Sequence, residues 1–198
     1  MRLSSFSYKF CFYVSFGFLT SFMGTDTIPA LQGIKYYYGD DNVGFSVPAS
    51  EHSVMCAHGK EGEIDTLKYL MKQYPKGILS VVSDTWNLWK LITEYLPQLK
   101  EEILTRDGKL VIRPDSGDPV DIICGKNTDK RMSYTSSTES LVRLQNGIKE
   151  SEWKGVIELL WDIFGGTINE QGYKVLDSHI GAIYGDSITI DRADEICK

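Results

Sequence analysis

Cysteine is scarce in this 198-residue chain, and its placement is uninformative for metal binding. Cys11, Cys56, Cys124 and Cys197 form no CxxC pair and no zinc-ligand spacing. This argues against a disulfide scaffold or a zinc ribbon, and matches the reduced thiols of a cytoplasmic protein. Positive charge is also short: 21 Lys and Arg stand against 27 Asp and Glu, giving a formal charge of −6 and a pI near 5.1. With no basic run, a nucleic-acid surface built on phosphate contacts is not expected. There are three histidines. No long apolar run is present either. Phe10 to Phe22 is too short to span a bilayer comfortably, carries several Ser and Tyr, and has no small-residue cleavage site. Neither secretion nor a membrane association is expected, and residues 1–18 stand as an atypical aromatic segment, either buried or an irregular start.

What is present centres on Lys109 to Pro119, KLVIRPDSGDP. Leu110, Val111 and Ile112 predict a short buried strand that ends in a cation, Arg113, and an acid, Asp115, before a Gly117 turn. Parallel strands deliver functional groups in this way to the carboxyl edge of an α/β sheet or barrel. An arginine can grip phosphate bidentately, and an aspartate can accept from sugar hydroxyls or hold a metal ion. A turn closed by a local Arg–Asp pair explains the stretch equally well when it is taken alone.

The same pattern recurs along the chain. Val43 to Val47 is strand-like and leads through SVPASEHS to Glu51 and His52. Ile78 to Val82 ends in Ser83-Asp84, and a last strand from His179 to Tyr184 ends in Gly185-Asp186. Between these lie helical segments. One runs from a Thr27 cap to Tyr38 with Pro29 in its first turn. Another carries Ile64, Leu67, Met71 and Tyr74 on one face. A third, with Leu88, Trp89, Ile92 and Leu96, is closed by Pro97, and Asp107-Gly108 then makes a turn. The clearest spans 152–164 and has Trp153, Val156, Ile157, Leu160, Trp161 and Phe164 at helical spacing before Gly165-Gly166. Residues 125–150 form a polar excursion. Each aspartate could be no more than a helix N-cap. Four ionisable groups at four strand ends, His52, Asp84, Asp115 and Asp186, are better explained by one pocket. The expected fold is α/β, part of an irregular (β/α) barrel whose strand carboxyl ends form the active-site face. Two chemistries suit it: a metal-dependent barrel hydrolase, or Mg²⁺-assisted work on a phosphorylated sugar with the arginine on phosphate. The single strand-end histidine favours the second.

The segments GTDT (24–27), KYYYG (35–39), SVPASEHS (46–53), SVVSD (80–84), IRPDSGDPVD (112–121) and IYGDSI (183–188), with WKGVIELLWDIFGGTINEQGYKVLD, resemble nicotinamide phosphoribosyltransferases of the bacterial and phage branch. The match covers residues 19–198. The resemblance implies transfer of phosphoribose from phosphoribosyl pyrophosphate to nicotinamide, with Mg²⁺ as cofactor, ATP as an activating co-substrate and a homodimer as the complete enzyme. By the same resemblance Asp26 contacts the carboxamide, His52 is the histidine phosphorylated by ATP with Glu51 able to orient it, and Asp84 and Asp115 serve catalysis and Mg²⁺. Arg113 lies beside the ribosyl and base portion. Ser46, Val47 and Ser80 line the nicotinamide tunnel, and Gly185 and Asp186 bind the ribose. A carboxylate at Asp26 accepts amide N–H donors and repels nicotinic acid, so nicotinamide is the expected base. The family's aromatic and arginine before GTDT, and its glycine-rich phosphate loop after the GD strand, have no counterparts here. The chain is therefore expected to be an incomplete copy. A nicotinate-type transferase and an inactive piece serving only as an interaction partner stay open as alternatives.

Overall fold

Leu79, Val81 and Val82 in β1 (Lys76–Val82) and Leu110 and Ile112 in β2 (Asp107–Arg113) are almost wholly buried. Each such side chain contributes about 1.5–3 kcal/mol when removed from water. In both strands burial concentrates in the carboxyl half, directly beneath the strand ends where function was expected. The computed structural model describes residues 5–25, 27–40, 43–126 and 147–197, with side chains from residue 12 onward. Most of the polar excursion at 125–150 lies outside the described residues. Two units divide the chain, residues 1–47 and 48–198.

In the first unit, α1 (Ser5–Leu19) pairs with α2 (Ile28–Tyr38). Leu19, Ala30 and Ile34 form a small core, joined by Phe16, Leu31 and Val43. The expected helix from Thr27 forms, and Gly39 ends it in a left-handed cap whose N–H donates to the Lys35 carbonyl. The strand expected over Val43–Val47 reduces to one parallel bridge, Gly24 to Phe45. Of the aromatic N-terminal segment, the part from Ser5 is helical; Phe16 packs on the small core, and Tyr13, Val14 and Phe18 remain exposed. Among the described residues no helix is long and apolar enough to cross a membrane.

The second unit is a parallel sheet in the order β1–β2–β5, where β5 is Ile180–Ala182. Leu79 pairs with Leu110, and Leu110 with Ile180. Ala49 bridges Ser80 in parallel, so the segment before His52 joins the sheet through Pro48–Ser50, further along the chain than expected. Around the sheet pack α3 (His52–Met55), α4 (Glu63–Gln73), α5 (Leu88–Lys90), α6 (Leu96–Gln98), α7 (Lys100–Leu104), α8 (Pro119–Cys124), α9 (Glu150–Phe164) and α10 (Ile190–Cys197). An antiparallel hairpin, β3 (Gly166–Ile168) with β4 (Lys174–Leu176), follows α9 and was not expected.

Two sequence expectations need correction here. Pro97 does not close its helix, because Leu91–Tyr95 widens into a π-turn and the chain stays helical to Gln98. Proline at the start of the α6 turn needs no N–H donor there. Asp107 and Gly108 are not a turn but the first residues of β2, paired with Lys76 and Gly77. A Cβ on Gly108 would lie 2.1 Å from the Gly77 carbonyl oxygen and 2.5 Å from its nitrogen. Gly108→Ala must therefore push β1 and β2 apart. We expect it to cost about 2–3 kcal/mol, read as a lower urea midpoint; an unchanged midpoint would contradict so close a pairing. Helix α9 is interrupted at Gly155, with φ 76°, where its backbone packs on Gly125. Trp153, Val156, Leu159, Leu160 and Phe164 form the buried stripe, and Ile157 and Trp161 fall outside it.

Candidate active site at the strand carboxyl ends

The strand ends are tied together by short polar links. Ser83, fully buried, follows β1; its N–H donates to the Arg113 carbonyl at 3.0 Å, and its Oγ accepts from the Arg113 N–H at 3.3 Å. The next residue, Asp84, accepts the Asp115 N–H on Oδ2 at 2.8 Å. Ser50 connects on the other side: its Oγ accepts the Val82 N–H at 2.9 Å, and its carbonyl accepts from Arg113 Nη2 at 3.0 Å. At the far edge the Tyr184 hydroxyl donates to the Gly117 carbonyl at 3.0 Å. Arg192 donates to the Ser187 carbonyl at 2.7 Å and reaches Asp118 Oδ2 at 3.2 Å. Asp118 is itself the N-cap of α8, accepting from Val120 and Asp121.

His52, Asp84, Arg113 and Asp115 therefore share one rim, whereas Asp186, the fourth strand-end group expected in the pocket, bonds Ser187. His52 Nε2 is 3.7 Å from Asp115 Oδ2, with both side chains partly exposed, and Nδ1 is 3.0 Å from the Thr85 hydroxyl oxygen. The sequence suggested that Glu51 orients His52. Glu51 instead faces Arg113, with Oε1 3.6 Å from Nη2, and Thr85 and Asp115 flank the imidazole. Glu51 is the residue before the helix that His52 begins, so its side chain leaves in another direction. Asp186 bonds the Ser187 hydroxyl at 3.1 Å. Its field reaches the same rim: burial first, then Asp186, Asp84, Asp115 and Asp118, raise the Tyr184 phenol above its ordinary pKa. Gly185 has open space where a Cβ would sit.

The remaining candidates are placed as follows. Ser80 is buried in β1, and its Oγ has no hydrogen-bond partner among the described residues. Ser46 and Val47 belong to the first unit, where both are exposed. Asp26 lies outside the described residues. Ser50, Ser83, Thr85 and Tyr184 were missed by sequence reasoning. The run Ser83-Asp84-Thr85 after an apolar strand was the available signal for two of them.

Two buried atoms on the rim have no partner among the described residues, Asp84 Oδ1 and Arg113 Nε. A buried carboxylate oxygen without a donor is costly unless a ligand or cation satisfies it. Among the described residues no group of three or more His, Cys, Asp or Glu is arranged to hold a metal ion. Mg²⁺ takes one or two carboxylates and completes its shell with water and substrate phosphates. Asp84, with its Oδ1 unpartnered among the described residues, and Asp115 are carboxylates that fit such a donor set. A cavity of about 760 Å³ adjoins this rim at Tyr184, between α8, α9, β4, β5 and α10, with a largely apolar lining that includes Ile157, Trp161 and Ile183.

With this geometry in view, the likenesses to known proteins become specific. The chain matches the nicotinate phosphoribosyltransferase (NAPRTase) family over residues 5–198. It is 45% identical over 190 residues to a protein of Acinetobacter baylyi named nicotinamide phosphoribosyltransferase, across 92% of this chain and 34% of that protein. A protein of the same name from Mycoplasma pneumoniae is 40% identical over 186 residues, across 94% of this chain and 35% of its own length. One from Xanthomonas campestris pv. campestris is 34% identical over 173 residues, with 86% and 30% covered. The chain thus spans about a third of the length of these curated relatives. On the family match across nearly its whole length, the chain belongs to the nicotinate phosphoribosyltransferase family.

Proposed function

We propose that this chain supplies a catalytic rim for the transfer of phosphoribose from phosphoribosyl pyrophosphate to nicotinamide, yielding nicotinamide mononucleotide and pyrophosphate. The observation that carries the reading is the convergence of Asp84, Arg113, Asp115 and His52 at the ends of adjacent parallel strands, with a buried Asp84 oxygen left for a ligand. The nicotinamide ring nitrogen attacks the anomeric carbon as the C–O bond to pyrophosphate breaks, through an oxocarbenium-like state. The chain's part is positioning and charge stabilisation. Asp84, its Oδ2 fixed on the Asp115 N–H, and Asp115 would hold Mg²⁺, which when bound would neutralise charge on the departing pyrophosphate. Arg113, anchored on the Ser50 carbonyl, sits beside the ribosyl and base portion. Gly185 and Asp186 approach the ribose hydroxyls, and Ser80 lines the path of the base. His52 accepts phosphate from ATP.

The sheet is an arc of a (β/α) barrel on this reading, supported by the parallel order from Ala49 through β1 and β2 to β5 with helices between. A cytoplasmic homodimer is the form expected of the complete enzyme. The test is a chimera in which these residues replace the matching third of the Acinetobacter baylyi protein, assayed for nicotinamide mononucleotide formation. Loss of turnover in a folded chimera would defeat the reading. In the same chimera Asp26→Asn should lower the preference for nicotinamide over nicotinic acid by about ten- to a hundredfold, because the repelling charge is removed while shape is kept. An unchanged ratio of kcat/KM values would remove Asp26 from base selection.

A further inference from the structure

The imidazole of His52 is flanked at both nitrogens. Thr85 Oγ1 lies 3.0 Å from Nδ1, and Asp115 Oδ2 lies 3.7 Å from Nε2. His52 opens a four-residue helix and its side chain is nearly half exposed, so its own element does little to fix the ring. The grip comes from the loops after β1 and β2, which are locked to each other by the Asp84 to Asp115 N–H bond. Thr85 follows Asp84 directly, and its branched Cβ limits its rotamers. Its hydroxyl makes no other hydrogen bond among the described residues.

We propose that Thr85 is a positioning residue for His52, its hydroxyl donating to Nδ1 while Asp115 faces Nε2, so that the neutral ring is held in one orientation and protonated at Nε2. A carboxylate facing Nε2 repels a lone pair there and favours an N–H. The lone pair of the neutral ring then falls on Nδ1, where the Thr85 hydroxyl is the donor. The functional weight of this rests on His52 being the phosphate acceptor. In that reaction Nδ1 first gives up the Thr85 hydrogen bond; its freed lone pair then bonds the γ-phosphorus of ATP, the bond from that phosphorus to the bridging oxygen breaks with its electron pair leaving on ADP, and the Nε2 proton stays facing Asp115. Thr85 thereby sets which nitrogen carries the lone pair in the resting ring.

The experiment uses the 198-residue chain labelled with ¹⁵N-histidine, recorded in two-bond ¹H–¹⁵N correlation spectra above the titration range of the ring. His52 should show the Nε2–H pattern, with its Nδ1 resonance displaced as for a hydrogen-bonded acceptor. Thr85→Val should abolish that displacement, and Thr85→Ser, which keeps the hydroxyl, should restore it. An unchanged Nδ1 resonance in a folded Thr85→Val chain would overturn the proposal. So would an Nδ1–H tautomer in the unmodified chain, a result that stands even if the valine variant fails to fold. Incubating the chimera with labelled ATP separates the two ideas: absence of acid-labile phosphate on His52 defeats the phosphate-acceptor reading and leaves the orientation of the ring as assigned.

Discussion

Asp84→Ala is expected to weaken Mg²⁺-dependent binding of phosphoribosyl pyrophosphate about a hundredfold, and Asp84→Asn about tenfold. The two substitutions separate two roles of one carboxylate. Oδ2 accepts the Asp115 N–H at 2.8 Å and so fixes where the second acid sits, while buried Oδ1 has no partner among the described residues. Asparagine keeps an oxygen for the Asp115 N–H but gives up the charge. Alanine gives up both, and leaves the loop after β2 free to move its carboxylate away from the rim. A hydrogen bond to a charged group is worth roughly 1.5–3 kcal/mol, which spans about ten- to a hundredfold in affinity. Titration calorimetry of the chimera, with and without Mg²⁺, measures both effects. Equal losses in the two variants would show that Asp84 does not position Asp115. No loss in either would take it out of the site.

The parts of this site that were legible in the sequence are those in which one residue type has one physical use. An apolar run that ends in Ser-Asp or Arg-Pro-Asp is hard to explain by packing, and β1 and β2 end as those runs implied. The recurring strand-end pattern grouped His52 with Asp84 and Asp115, and His52 Nε2 lies 3.7 Å from Asp115 Oδ2. What escaped was set by contacts between segments far apart in the chain. Thr85 touches His52 across 33 positions, and Arg113 reaches the Ser50 carbonyl across 63, so no local pattern announces either. Glu51 was paired with His52 because they are neighbours in sequence, although Glu51 is extended and His52 begins a helix, so their side chains leave in different directions.

The fold shows the same division. Helices with a clear apolar stripe appeared where expected, while Gly108 and Pro97 were misjudged by local rules. Both are excused by tertiary context: a close backbone approach to Gly77 in one case and a π-turn ahead of the proline in the other. The hairpin β3–β4 was missed because its strands are three residues each and largely exposed, leaving little alternation to detect.

Glu63→Gln should remove a loss of stability that the chain otherwise shows as pH rises through neutrality. Glu63 begins α4 and is only 2% exposed, with Oε1 unpartnered among the described residues. Burial raises its carboxyl from 4.5 to about 7, against the opposing pull of Lys90. The folded chain therefore holds this proton more tightly than the unfolded chain does. Below the unfolded value both states are protonated, and the favourable contribution is fully present. It fades as pH climbs from about 4.5 and is gone above about 7. A shift of this size corresponds to about 3 kcal/mol, an upper figure, because relaxation and water entry blunt the cost of a buried charge. Glutamine keeps the shape and cannot ionise. The two chains should then unfold at similar urea concentrations at pH 5, and the glutamine variant should be the more stable at pH 8. Parallel stability curves across that range would show that Glu63 ionises without penalty.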